Sequence, residues 1–289
     1  MKTAVMTDTN SGISQQEARS MGIFLLPMPV IMDEETRYEG IDLTEKEFYE
    51  SLKSGKDVST SQPSPASVMD MWDQILEEGY DEIIHIPMSS GLSTSCHTAI
   101  SLSADYDGKV MVADNHRISV TQKASVIHAK KLADKGFSAK EIKKELEADA
   151  YNSSIYIAVD TLEFLKKGGR VTPAGAALGA VLNIKPLLTI QGEKLDAFAK
   201  LRGMKKCKSR MVEALQNDRK TRFSDVPADR LMIGAAGANL TTDEANEWKQ
   251  MLEAAFPGSF VYFDPLSYSV GCHVGPKAYG TGISIVAED

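Results

Sequence analysis

Two short stretches place hydroxyl groups where an apolar or proline-stiffened segment runs into a helix. In IIHIPMSSGLSTSCHTA (83–99) an apolar run breaks into Ser89, Ser90, Ser93, Thr94 and Ser95 around Gly91 and Leu92. In VSTSQPSPASV (58–68) Thr60, Ser61, Gln62 and Ser64 precede a second helix, stiffened by Pro63 and Pro65. Hydroxyls donate hydrogen bonds without carrying charge. A helix N-terminus adds free N–H groups and the positive end of a dipole, and glycine lets backbone approach closely. Together these suit a carboxylate or phosphate oxygen held without a nearby positive charge. The plainer account is helix capping, with one serine on each helix and the others in water.

Nucleophilic catalysis by Ser93 is the sharper chemical rival. GLSTS resembles G-x-S-x-G, with Ser95 in place of the last glycine. Acids and His97, His116, His128 and His273 follow in the chain order that an α/β-hydrolase triad uses, but none is a local partner. A phosphate-binding P-loop is excluded, since no G-x-x-x-x-G-K-[ST] occurs. Cys96, Cys207 and Cys272 are widely spaced, and neither C-x-x-C nor H-E-x-x-H appears. Neither a disulfide scaffold, a metal site nor a cofactor is expected. His273 lies in GCHVGPKAYG (271–280), which reads as a glycine-rich loop able to line a ligand mouth. Cations gather in KKGGR (166–170) and KLRGMKKCKSR (200–210), which makes Arg170, Arg202, Lys205 and Lys206 candidates for docking a partner or an anion. The alanines and glycines at 174–179 thin one helix, for close packing or for an apolar guest.

These residues need elements to position them. The chain has 289 residues, enough for two domains that each bury a core. Its net charge of −8 disfavours a general nucleic-acid binder. Asp8 comes too early for a signal-peptide core, and no apolar run reaches membrane-spanning length, so a cytoplasmic protein is expected. KTAVMTD (2–8), DEIIHIPM (81–88) and KVMVAD (109–114) read as strands, with helices at 119–135 and 138–150. The run 23–32 holds two prolines and reads as an edge or irregular strand, and MDEET (32–36) as a turn. Thr44 and Glu47 form a capping box for a helix over 44–55. This alternation predicts a mostly parallel, Rossmann-like sheet with helices on both faces. After a boundary near 152 the texture changes. SSIYIAVD (153–160), helical segments at 161–169 and 172–182, a hairpin around Gln191-Gly192, a basic helix (204–217), LMIGAAG, a helix at 241–256, FVYFDP and TGISIVAE predict a mixed α/β second domain. The division is 1–152 and 153–289, with segment 30–75 packing toward the second domain.

Several of these segments, in order along the whole chain, resemble the DegV family of bacterial fatty-acid-binding proteins. TDTNSGIS (7–14) is similar to its opening strand and loop, and STSQPSP (59–65) to its T-S-Q-P loop. SSGLSTSCHTA looks like its S-S-G-L-S-G-T-Y element, and HVGPKAYG like its closing H-x-G-P-G-x-x-G. The block from LEFLKKGGR to KLRGMKK is the longest and most specific. The resemblance implies a fatty acid between two α/β domains, its carboxylate held by Ser61 or Thr60 and by Ser93, near His273. It also implies a binding subunit without catalysis of its own, which presents the lipid to a separate ATP-binding fatty acid kinase subunit. The product is an acyl-phosphate for phospholipid synthesis. Arg170 and Arg202 fall on the family's G-G-R and K-x-R-G arginines, and together with Lys205 and Lys206 are the expected docking residues. Thr94–His97, Cys272 and Lys277 depart from the family pattern, and Lys277 is expected to bring a charge near the carboxylate. A serine hydrolase using Ser93 and a carrier of another apolar carboxylic acid are the alternatives.

Overall fold

The computed structural model describes residues 2–179 and 184–285. KTAVMTD forms β1 (Thr3–Asp8), buried at every position as a strand covered on both faces must be. Helix α1 (Gln15–Met21) follows, capped by Ser14. The run 23–32 divides at Pro27. Strand β2 (Phe24–Leu26) pairs parallel to β1 at a sheet edge, whereas β3 (Pro29–Met32) starts a different sheet. Proline has no N–H for the ladder, so pairing breaks there. Strand β3 pairs antiparallel with β4 (Glu35–Tyr38) and, beyond the boxed helix α2 (Glu45–Lys53), with β5 (Val58–Thr60). The expected turn at 32–36 is therefore the bend of a hairpin. The hydroxyl segment at 58 begins as a strand and becomes a loop only after Thr60.

Helix α3 (Pro65–Glu77), capped by Ser64, returns the chain to β6 (Glu82–Ile86). Then come α4 (Ser95–Ser103), β7 (Val110–Val112), α5 (Ser119–Asp134) and α6 (Ala139–Ala148). The first sheet is parallel throughout, in the order β2-β1-β6-β7. The second half runs β8 (Ser153–Ala158), α7 (Glu163–Gly168), α8 (Pro173–Ala176), β9 (Ile184–Ile190), β10 (Asp196–Arg202), α9 (Met204–Thr221), β11 (Leu231–Gly237), α10 (Thr242–Ala255), β12 (Phe260–Pro265), α11 (Tyr268–Val274) and β13 (Tyr279–Ile285). Its sheet, β10-β9-β8-β13-β11-β12, is antiparallel except where β11 meets β12. The expected hairpin is β9–β10, joined by residues 191–195 rather than by a two-residue turn. The expected helix over 172–182 is shorter: α8 covers four residues and a 3-10 turn follows to Gly179, while the rest of that segment lies outside the described residues.

Helix α5 joins the two halves. It packs on β1 and β6 of the first sheet and on β8, β11 and β13 of the second. Its first eight residues are all buried, among them Thr121, Gln122, Lys123 and Ser125. Such a helix has no polar outer face, so its polar side chains must find partners inside. Gln122 Nε2 donates to Thr7 Oγ1 at 3.1 Å and to Asp8 Oδ1 at 3.2 Å. Lys123 Nζ reaches Glu17 of α1 at 2.7 Å and Asp264 of β12 at 2.9 Å, so one ammonium joins three elements. Burial raises the Asp264 carboxyl to about 6, against the opposing pull of Lys123. On the second sheet, bare backbone receives the helix. A Cβ at Gly234 would lie 2.3 Å from Val120 Cβ, and one at Gly282 would lie 2.9 Å from Thr121 Cγ2.

Removing one member of a buried ion cluster leaves the other charges without compensation. Lys123→Ala is expected to cost about 3–5 kcal/mol at neutral pH by urea unfolding. The loss should shrink as the pH falls toward about 6. Without the pull of Lys123 the Asp264 carboxyl takes up its proton at a higher pH than in wild type and no longer buries an unpaired charge. A loss under about 1 kcal/mol at neutral pH would mean that the cluster is solvated.

Candidate functional site

A cavity lies between the first half and the six-stranded sheet, with about 910 Å³ of space free of protein atoms, its opening included. Met88, Leu92 and Val120 wall it from one side, and Ile155, Ile157 and Ile190 from the other. Thr60, Ser61 and Gln62, then Ser93 and Thr94, then Arg170, and then His273 enter the wall from four separate segments, and Ser119, Ser269 and Thr281 also line it.

The elements explain why these meet. Strand β5 ends at Thr60, and the loop leading to α3 carries Ser61 and Gln62. Thr60 Oγ1 and His273 Nε2 lie 2.9 Å apart although 213 residues separate them in sequence. His273 is not in a glycine loop as expected. It stands on the last turn of α11, a helix capped by Ser267, whose backbone fixes the ring. The first glycine of KKGGR makes room for that ring, since a Cβ at Gly168 would lie 2.1 Å from His273 Nδ1. The second glycine, Gly169, closes α7 at φ +68°, a left-handed conformation that suits glycine. Arg170 then turns into the cavity wall. Its Nε donates to Leu92 O at 3.3 Å and its Nη1 to Gly168 O. Burial, assisted by the Arg170 charge, lowers the His273 pKa to about 4, so the imidazole is neutral at physiological pH.

Arg170 corrects the expectation of an anion site without a positive charge, and it is half-buried in the wall instead of standing on a docking surface. The hydroxyls of 89–95 divide their labour. Ser93 faces the cavity, and its Oγ accepts the Ser95 N–H at 3.2 Å. Ser89 is fully buried and donates to Gly192 O in the β9–β10 connection. Gly91 presses on the same connection, where an added Cβ would lie 2.5 Å from Gly192 O. Ser89 and Gly91 therefore join the two halves and are not ligand groups. Ser61 is exposed at the opening, with its hydroxyl on Gln62 O at 3.0 Å.

Gln62 had no role assigned from sequence. Its Oε1 accepts from both Thr94 and Thr98, at 3.0 Å each, and so ties the Ser61 loop to the Ser93 helix. The signal was present in T-S-Q-P, but only the fold shows that a glutamine there reaches across to α4. Arg202 ends β10, whereas Arg170 hydrogen-bonds Leu195 just before that strand begins. Seven residues of extended chain separate the two ends, roughly 23 Å. Arg202, Lys205 and Lys206 are exposed and form one patch, which does not include Arg170.

The family model described as uncharacterised protein, DegV family, matches residues 2–286. The chain belongs to the DegV family. It is 31% identical to Protein DegV of Bacillus subtilis over 283 residues, 97% of this chain and 98% of that one. A Bacillus subtilis structure described as DegV, a fatty acid binding protein, superposes with a TM-score of 0.85 at 29% identity, covering 99% of both chains. A Thermus thermophilus structure described as fatty acid binding of a DegV family protein gives a TM-score of 0.88 at 26% identity, over 99% of this chain and 100% of that one.

Three of the departures from the DegV pattern, Thr94, Cys272 and Lys277, have local accounts. Thr94 uses its added hydroxyl on Gln62. Cys272 is buried with its Sγ on Val58 O at 3.6 Å, and burial raises the thiol to about 11, so it is inert. Lys277, expected to bring a charge near the ligand, is not among the residues that line the cavity. Its ammonium pairs with Glu244 of α10 at 2.6 Å, and its backbone adopts φ +61°, a conformation that favours the glycine of the family pattern.

Gly168→Ala tests whether the His273 seat matters. The new methyl is expected to push the ring off Thr60, cost about 1–3 kcal/mol in denaturant unfolding, and shift the His273 imidazole resonances in NMR spectra. Unchanged resonances would mean that the seat tolerates a side chain.

Proposed function

We propose that this chain binds a long-chain fatty acid, with the tail in the cavity and the carboxylate among Ser61, Ser93, Thr60, Arg170 and His273. The observation that carries this is the mostly apolar cavity with its hydroxyls, imidazole and guanidinium drawn together from segments distant in sequence. The fatty acid binding described for the Bacillus subtilis and Thermus thermophilus relatives supports it. Burial of acyl methylenes contributes roughly 0.8 kcal/mol each, on the order of 12 kcal/mol for a palmitate-length tail before ordering costs. A ligand held this way is carried, not exchanged rapidly with water. His273, neutral, can donate one hydrogen bond, and Arg170 adds charge to the same end.

In this proposal the chain performs no chemistry alone. It presents the carboxylate to a separate ATP-dependent kinase subunit in the cytoplasm. There a carboxylate oxygen forms a bond to the γ-phosphorus of ATP, the bond to the bridging oxygen breaks, and ADP leaves. Family resemblance and the basic patch at Arg202, Lys205 and Lys206 support this step, since positive charge on an acidic protein steers an acidic partner. Among the described residues no helix is long and apolar enough to cross a membrane. Against Ser93 as a hydrolase nucleophile stands that His273 bonds Thr60, while the Ser93 hydroxyl accepts from the Ser95 N–H.

Native mass spectrometry of the purified protein is expected to show a co-purifying fatty acid, or uptake of added palmitate or oleate. A retinoid or isoprenoid acid in its place would support a carrier of another apolar acid, and a protein that ignores all of them would sink the proposal. Arg202→Glu is expected to slow phosphorylation of bound lipid by the kinase subunit while lipid retention is unchanged. Equal loss of both would make Arg202 structural or a ligand contact.

A further inference from the structure

Four small residues form a patch on the face of the second sheet that looks toward the first half. Register places Ile157, Gly280 and Ala236 side by side in one row, and Ile155, Gly282 and Gly234 in the next. The second row is covered, since Gly234 and Gly282 receive α5 and leave no space for a Cβ. Gly280 differs. A Cβ there would meet Ala236 Cβ at 3.6 Å, Tyr156 O at 3.8 Å and Ile157 Cγ1 at 3.9 Å, all ordinary contacts. Its φ lies outside the left-handed region, so the backbone does not require glycine either. Strand geometry would favour a side chain at that position. Gly280 and Ala236 both line the cavity, and behind them Trp248 Nε1 holds Gly280 O at 2.8 Å, so the sheet cannot move to fill the space.

Resting on the fatty-acid reading above, we propose that Gly280, beside Ala236, is a specificity-determining position that sets how much acyl chain the cavity accepts. Helix α5 fills half of the small-residue patch, and the acyl chain packs on the other half. Interiors are close-packed, so each carbon added at this position displaces about one methylene of the ligand. Each methylene displaced costs about four-fold in affinity.

The test compares wild type, Gly280→Ala and Gly280→Val in competition for lauric, myristic, palmitic and stearic acids, read by native mass spectrometry. Thermal unfolding serves as the folding control. The stearate-to-laurate ratio is expected to fall about four-fold in Gly280→Ala and more than about ten-fold in Gly280→Val, with the fold intact. Ala236→Val, which enters the same space from the neighbouring strand, should shift the ratio in the same direction. Should Gly280→Val fail to fold, Gly280→Ala and Ala236→Val still decide the matter. Folded variants whose ratio stays within about two-fold of wild type overturn this inference alone. A wild type that takes up none of the four acids overturns the fatty-acid reading, and this inference with it.

Discussion

A helix with no exposed beginning fixes the geometry of this molecule. The first two turns of α5 are enclosed between a parallel and a mixed sheet, and Lys123 is a buried charge contact between the halves, holding Glu17 on one side and Asp264 on the other. Such a cluster is costly to bury, and its value lies in direction. An ammonium with carboxylates from two elements has one arrangement in which all are satisfied, so it sets how the halves face each other. The cavity is the space that this arrangement leaves beside the helix.

The polar wall of the cavity is built from segments distant in sequence, and each is seated by a contact that is not itself about a ligand. His273 depends on the bareness of Gly168, Arg170 on the carbonyls of Leu92 and Gly168, and the Ser93 helix on Gln62. The neutral state of His273 follows from the same crowding, because burial penalises the imidazolium and Arg170 adds repulsion.

Periodicity and composition carried the regular elements. The parallel strands around β1 and β6, the capping box at Thr44, and the paired strands β9 and β10 all rest on local patterns that burial and backbone geometry reinforce. What composition hid was tertiary. Serine-rich text at 58–60 folds as a strand because β3 offers it a partner, and a glycine-bracketed histidine is helical because Ser267 caps the turn below it. Among the residues that line the cavity, the hydroxyls at Thr60, Ser61 and Ser93 stood out in the sequence by their place before helices. Gln62 and the inward turn of Arg170 were not, since each depends on a neighbour more than thirty residues away. Lys277 was misplaced for the same reason: its partner, Glu244, stands on a helix 33 positions earlier.

The prolines that interrupt the text at 27 and 63 also mark the two seams of the small antiparallel sheet β4-β3-β5. Between them the chain leaves the parallel sheet after β2 and rejoins it through α3, so no ladder bond of that sheet crosses the seams. Length changes inside this segment would leave the register of the four parallel strands untouched. Its loops are thus where length can vary as far as that sheet is concerned, while Glu39 and Phe48 hold the segment on Tyr268 of α11 and Thr60 must arrive opposite His273. Insertions and deletions in related chains should be absorbed there first, without disturbing the helix that holds the halves together.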